Sequence, residues 1–293
     1  MPEVRTTLAW RAVITQGLEE EEIREKEFLY QKIELNEAGF PLSEETYMED
    51  GSLQHRFTYR YDDQNRVVEE ILTEGDGMIS EHRSMEYDEQ GRLSRELLHY
   101  QDETCDVTEF VRDENGRTLV KRTLDSDGEE ETRTEFVYDK GNLVTQKTYT
   151  SGDKTEEVNY TFDADNHLLE EEGELPDGSY SIVNEYDENG RQSLSKRYNS
   201  EGNLVERNIF TYAETGELEL LKTETVSGIT FTNLQHDENG RLLVQEEKDE
   251  TDQPVSRLQR TYDEQGRLLT SSVNIAGSSY RAPQDYRIRY EYR

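Results

Sequence analysis

Apolar and aromatic residues in this chain fall on alternate positions of short runs. Phe57, Tyr59 and Tyr61 share one side of such a run, while Thr58 and Arg60 share the other. The same alternation returns at Phe136 and Tyr138, at Val158, Tyr160 and Phe162, and at Phe210 and Tyr212. A period of two belongs to the β-strand, whose successive side chains point to opposite faces. Only one side of each run is consistently apolar; the other carries Arg, Glu, Thr and Lys. The pattern predicts strands with a single apolar face.

Between the runs stand turns that repeat almost letter for letter. Tyr61-Asp62-Asp63-Gln64-Asn65-Arg66, Tyr87-Asp88-Glu89-Gln90-Gly91-Arg92, Tyr186-Asp187-Glu188-Asn189-Gly190-Arg191 and Tyr262-Asp263-Glu264-Gln265-Gly266-Arg267 share one frame. Arg112 to Arg117 and His236 to Arg241 are variants, and Tyr138-Asp139-Lys140-Gly141 is one residue shorter. Leu35 to Gly39, Phe162 to Asn166 and Tyr212 to Gly216 are weaker copies. Their first positions fall at 35, 61, 87, 112, 138, 162, 186, 212, 236 and 262, a spacing of 24 to 26 residues. Aspartate opens a type I turn because its carboxylate accepts from the backbone two residues on. Glycine at the fourth position takes the left-handed conformation that closes a three-residue hairpin with a bulge. Asn65 and Asn166 replace it in two copies, and Asn best tolerates that conformation.

A looser second turn lies midway, as at Asp50-Gly51, Asp76-Gly77 and Asp127-Gly128. Strands of about eight residues are left between turns. The fold class that follows is all-β: tandem antiparallel hairpins forming a meander of about twenty strands. A strip of that length curls or closes, so a curled sheet or hollow shell is expected. Residues 1–30 lack the turn and read as a capping segment. Thr6 to Ile14, with Trp10, forms a strand there, and Leu18 to Glu27 a charged loop or short helix. Residues 31–275 are the array, and 276–293 supply a final strand that closes the far edge.

The Tyr-Asp-x-x-Gly-Arg-Leu frame at this period resembles the YD (RHS) repeats of Rhs proteins, wall-associated toxins, toxin-complex subunits and teneurins, over roughly residues 30 to 275. In large members the strip spirals into a shell that can enclose a toxin domain. This chain departs from that plan: it has no Asp-Pro dipeptide, so the Asp-Pro-x-Gly motif of Rhs cores is absent, and no toxin-like segment follows the last repeat. The resemblance implies a small stand-alone array.

Composition sharpens the picture. Apolar residues make up 31% of the 293, below the roughly 45–50% usual for globular domains, so a thick core is not expected. The 67 acidic residues against 33 basic leave a net charge of -34. Such a field repels nucleic acid and anionic membranes and steers basic proteins inward. Met1-Pro2-Glu3-Val4-Arg5 contains no apolar h-region, and no run approaches a membrane span, so a soluble, cytoplasmic protein is expected.

Chemistry is sparse. Cys105 is the chain's single cysteine and reads as an incidental thiol. His55, His82, His99, His167 and His236 sit in different repeats with no close pair in sequence, so no metal site is expected. Asp163-Ala164-Asp165-Asn166-His167 begins like a calcium loop and then fails, and Asp125-Ser126-Asp127-Gly128 places its glycine too early. No nucleophile elbow, phosphate loop or dinucleotide fingerprint occurs, and neither catalysis nor a cofactor is expected. Arg66, Arg92, Arg117, Arg191, Arg241 and Arg267, each just after a turn, are expected to pair with acidic neighbours on adjacent strands. The stripe of Tyr59, Tyr61, Tyr87, Tyr138, Tyr160, Tyr186, Tyr212 and Tyr262 reads first as cross-strand packing and second as a ligand-stacking row. The leading expectation is a non-catalytic module that binds a basic protein; the resemblance adds an immunity or accessory role toward a toxin. The alternatives are a carbohydrate-binding surface protein, which would require export, and a self-assembling scaffold.

Overall fold

The computed structural model describes residues 5–14, 18–277 and 282–293. Met1–Val4, on which the reading of a leaderless N-terminus partly rests, lie outside the described residues. The chain is all-β, with one short helix among the described residues. In chain order it forms β1 (Arg5–Val13), α1 (Glu20–Glu25), β2 (Phe28–Leu35), β3 (Pro41–Tyr47), β4 (Leu53–Tyr61), β5 (Val67–Glu74), β6 (Ile79–Tyr87) and β7 (Leu93–His99). There follow β8 (Cys105–Arg112), β9 (Thr118–Leu124), β10 (Glu130–Asp139), β11 (Asn142–Thr150), β12 (Asp153–Phe162), β13 (Leu168–Leu175), β14 (Gly178–Tyr186) and β15 (Gln192–Asn199). The last are β16 (Leu204–Tyr212), β17 (Leu218–Thr225), β18 (Gly228–His236), β19 (Leu242–Asp249), β20 (Pro254–Tyr262), β21 (Leu268–Ile275) and β22 (Gln284–Tyr292).

The strands group into two compact units, one of Met1–Ser80, Thr211–Lys222 and Gly228–Arg293, the other of Glu81–Phe210 and Thr223–Ser227. In the first, antiparallel pairing runs without a break from β18 to β22, then to β1, and on to β5. The final strand meets the capping segment itself: Leu8 stands opposite Glu291, and Ala12 opposite Arg287. In the second unit an antiparallel meander runs from β6 to β16, each strand paired with its chain neighbour.

The turns are those that the repeat chemistry predicts. Gly91 N–H donates to Asp88 O, and Asp88 N–H to Arg92 O, both at 2.9 Å. The register then slips by one residue just before the tyrosine, between Glu86 and Tyr87 here and between Glu185 and Tyr186 or Thr261 and Tyr262 elsewhere. That slip is the bulge of a three-residue hairpin. Asn65 and Asn166 adopt φ of 58° and 67°, as their place in the frame requires. In the shorter copy Lys140 and Gly141 both have positive φ, 47° and 97°, which makes it a two-residue turn.

The apolar core is as thin as the composition implies. Among the described residues the buried apolar side chains are Leu8, Ala9, Ala12 and Val158. Three of these lie on β1, the strand of the capping segment. There Arg289 grips Glu27 through Nε (2.9 Å) and Nη2 (2.6 Å), and Arg287 Nη1 reaches Glu20 at 2.6 Å. The Glu27 side chain is only 5% exposed and Arg287 10%, so this network is a protected one.

Candidate interaction surface

Each full turn carries the same side-chain clamp. Asp187 Oδ1 accepts from the backbone N–H of Asn189 and of Arg191, both at 2.9 Å, and Oδ2 accepts from Arg191 Nε at 2.8 Å. Asp62–Arg66, Asp88–Arg92, Asp113–Arg117, Asp237–Arg241 and Asp263–Arg267 repeat it. This corrects the sequence expectation of a partner on an adjacent strand: the recurrent arginines pair with the aspartate of their own turn, four residues back. The local partner wins because the turn already holds both ends within reach, at little additional entropic cost.

The clamped arginine then serves the next repeat. Arg117 lies over the Tyr138 ring at 5.0 Å, Arg241 over Tyr262 at 4.9 Å and Arg267 over Tyr292 at 4.6 Å. A Cβ added to Gly116 would meet Arg92 Nη1 at 2.8 Å, and one on Gly266 would meet Arg241 Nη1 at the same distance. These glycines therefore serve their own positive φ and also leave room for the preceding arginine. The tyrosine closes the link, its hydroxyl donating to a backbone carbonyl of the repeat before. Tyr61 reaches Pro41 O (2.7 Å), Tyr138 Thr118 O (3.0 Å), Tyr186 Leu168 O (2.9 Å) and Tyr262 Leu242 O (3.0 Å). Where Arg112 replaces the tyrosine, its Nη2 donates to Leu93 O at 2.7 Å. Where His167 replaces the arginine, Nδ1 sits 2.9 Å from Asp163 Oδ2 and the ring stacks on Tyr186 at 4.6 Å.

The eight stripe tyrosines, Tyr59, Tyr61, Tyr87, Tyr138, Tyr160, Tyr186, Tyr212 and Tyr262, are all half-buried. Burial raises the phenol pKa of Tyr61, Tyr160 and Tyr186, and carboxylates nearby add to the effect. Tyr59 shifts furthest upward, first by burial and then by Glu44 and Glu70; its hydroxyl donates to Glu44 at 3.3 Å. The aromatic face is thus the protected one, and its rings are occupied in holding repeats together.

The opposite face carries charge. Across β6 to β9 runs a ladder of Glu86–Arg95 (3.1 Å), Arg95–Glu109 (3.6 Å) and Glu109–Arg122 (2.8 Å). On β12 to β14 the balance is lost. Glu157 stands opposite Glu174, Asn159 opposite Glu172, and Thr161 opposite Glu170. On the far side Glu172 faces Ser181, and Glu170 faces Val183. Lys154 reaches Glu157 (2.7 Å) and Glu174 (3.4 Å), and Lys147 reaches Glu157 (3.4 Å). Among the described residues no cation meets Glu170 or Glu172, and Glu172 and Glu174 are exposed. Lys154 bridges the one pair of carboxylates set directly opposite, Glu157 and Glu174, while Glu170 and Glu172, on the same face of β13, leave an excess of negative charge beside it.

Two other groupings bear on metal chemistry. Donor atoms of Asp163, Asp165 and His167 lie within 4.8 Å of one another. Both oxygens of Asp163 are already engaged, Oδ1 by two backbone N–H groups and Oδ2 by His167, so the turn accounts for the cluster. The histidines are less dispersed than sequence suggests: His82 and His99 lie with ring centroids 4.5 Å apart, tilted by 34°. They come from neighbouring strands, and their closeness follows from register, which sequence spacing alone does not show.

Comparison with known proteins places these features. The teneurin YD-shell family model matches residues 15–274. A search of curated proteins finds no match. Among solved structures, the Photorhabdus luminescens Tc holotoxin pore in a TccC3 mutant form is 14% identical over 94% of this chain, with a TM-score of 0.48. TcdB2-TccC3 without its hypervariable C-terminal region is 13% identical over 98%, with a TM-score of 0.46. This chain spans 17% and 18% of those two chains. A porin-like protein from Bacteroides uniformis is 9% identical over 100% of this chain and 96% of its own, at a TM-score of 0.33. With the YD turns, their clamps and a sequence match over nearly its whole length, the chain belongs to the teneurin YD-shell family.

Proposed function

We propose that this chain is a non-catalytic protein-binding module whose acidic face engages a basic partner. One observation carries the reading: Glu170, Glu172 and Glu174 stand at alternate positions of β13 with Glu157 opposite on β12, and Lys147 and Lys154 meet only the Glu157–Glu174 end of the row. The excess negative charge of that row is uncompensated in the free protein at Glu170 and Glu172, and a cationic partner surface would complement it. A net charge of -34 would speed the encounter. The proposal includes an accessory or immunity role, holding a basic toxin segment, on the resemblance of the repeat to those of toxin-associated YD proteins.

The test is capture from the source cell by the wild-type chain and by a Glu172→Lys/Glu174→Lys variant, at low and high salt, with bound proteins identified by mass spectrometry. The reading expects one basic protein that the wild type retains at low salt, high salt releases, and the variant loses. A neutral protein held equally by both chains at both salts would overturn it.

A further inference from the structure

The ends of β1 and β21 and the start of β22 border a cavity of about 700 Å³. Its wall is mostly apolar, with Val13, Ile14, Ile275, Ala276 and Pro283. Sites for small organic ligands occupy roughly 300–1,000 Å³ and join such a wall to a few polar groups. Here the polar group is Arg11. It stands two residues before Val13 on β1, and Val13 is opposite Tyr286, so all three share one face of the sheet. The guanidinium carbon of Arg11 lies 4.4 Å from the centre of the Tyr286 ring and 5.3 Å from that of Tyr30.

This arginine lacks what its counterparts have. Arg117, Arg241 and Arg267 also lie over tyrosine rings, and each holds the aspartate of its own turn. Among the described residues no carboxylate pairs with Arg11, and its Nε is buried without a hydrogen-bond partner. In a chain with 67 acidic residues against 33 basic, a guanidinium without a counter-charge is an unmet demand. Asp285 is the carboxylate of the cavity lining, and it does not meet that demand. It precedes Tyr286 on β22 and so faces the other side of the sheet, where Asn274 Nδ2 donates to it.

We propose that this cavity binds a small amphipathic carboxylate, its apolar body against the wall and its carboxylate on Arg11. Ring contacts engage the flat faces of a guanidinium and leave its in-plane N–H groups for a planar acceptor. With Nε buried, the contact is made through the two Nη groups, which can serve both oxygens of one carboxylate. One guanidinium balances one negative charge, which favours a carboxylate over a phosphate dianion. The long-range field of a chain at -34 repels anions, so saturable binding of one reports a local site. The cavity lies in the first compact unit and the glutamate row of β12 to β14 in the second, so either reading can fail without the other.

The test is calorimetric titration of the full chain with octanoate, 1-octanol and acetate. The expected result is one-site, saturable binding of octanoate, with octanol and acetate each weaker by tenfold or more. Arg11→Gln should weaken octanoate by tenfold or more, about what a charge-assisted pair contributes, and leave octanol unaffected. Arg60→Gln, which removes an exposed charge on β4, should bind octanoate as the wild type does. No saturable heat from octanoate with the wild-type chain would overturn the proposal, and so would octanol binding as tightly as octanoate. Wild-type affinity in Arg11→Gln, in a variant whose circular dichroism matches the wild type, would also overturn it.

Discussion

At a turn such as Tyr186 to Arg191, one aspartate holds two backbone N–H groups and a guanidinium, while the tyrosine hydroxyl reaches back to Leu168. Turn type and the glycine or asparagine positions were legible in the sequence, because φ preference is a property of the single residue. The arginine's partner was not, since both an adjacent strand and the same turn offered acids. Removing the hydroxyl in Tyr186→Phe should cost about 1 kcal/mol, the usual net worth of one hydrogen bond, read from the urea midpoint. No change in that midpoint would show the bond to be idle. The clamp also predicts a pH dependence. Side-chain and then backbone hydrogen bonds from Arg191 hold the Asp187 carboxyl below its ordinary 3.8; at Asp88 the backbone bond from Arg92 comes first. At Asp263 desolvation is the largest effect and opposes the shift, and the Arg267 bonds outweigh it. A carboxyl depressed in the folded state contributes stability above its unfolded pKa of ~3.9 and loses it as pH falls through the lower folded value. Asp187→Asn should therefore be less stable than wild type at neutral pH, with the difference closing below about pH 3.9. A difference undiminished at about pH 2 would contradict this.

Among the elements, the capping segment departs furthest from the repeat. The strand over Thr6 to Ile14 and the short helix within Leu18 to Glu27 could be read in advance from alternation and charge. Their docking could not: that β1 lies between β2 and β22 depends on where the far end of the array arrives. Nor does sequence distinguish Glu27 from the neighbouring glutamates, although it alone receives the Arg289 fork. Arg289 is driven above its ordinary pKa, chiefly by the Glu27 hydrogen bonds. Glu27→Gln leaves two protected guanidinium groups short of a counter-charge and should cost roughly 3 kcal/mol in chemical denaturation. Glu25→Gln, on the exposed helix end, should be near neutral. Equal effects from the two would remove Glu27 from its anchoring role.

For the whole molecule, charge matters more than core. Four buried apolar side chains among the described residues cannot offset self-repulsion by bulk burial, and the hydrogen-bonded turns and ladders take up that role. A chain at -34 should be stabilised by salt, which screens repulsion over more than ~10 Å at 0.1 M while sparing the short clamps. Melting temperature should rise with sodium chloride, by roughly 2–4 °C for each kcal/mol of repulsion screened. A fall would mean that surface ion pairs dominate. The acidic character of the surface was plain from composition, and the run at Glu170 to Glu172 from sequence, but that Glu157 joins it required the register, because Glu157 and Glu174 are distant in sequence and opposite in the sheet.

The claim that this face binds a basic protein is tested most directly by the salt dependence of affinity for the captured partner. The dissociation constant is measured by calorimetry from about 50 to 300 mM salt, a range spanning strong and weak screening, for wild type and for Glu172→Gln/Glu174→Gln. The account predicts affinity that falls steeply with salt, and a variant that binds more weakly at low salt and converges on wild type as salt rises. Affinity that is flat in salt and identical in the two chains would contradict it.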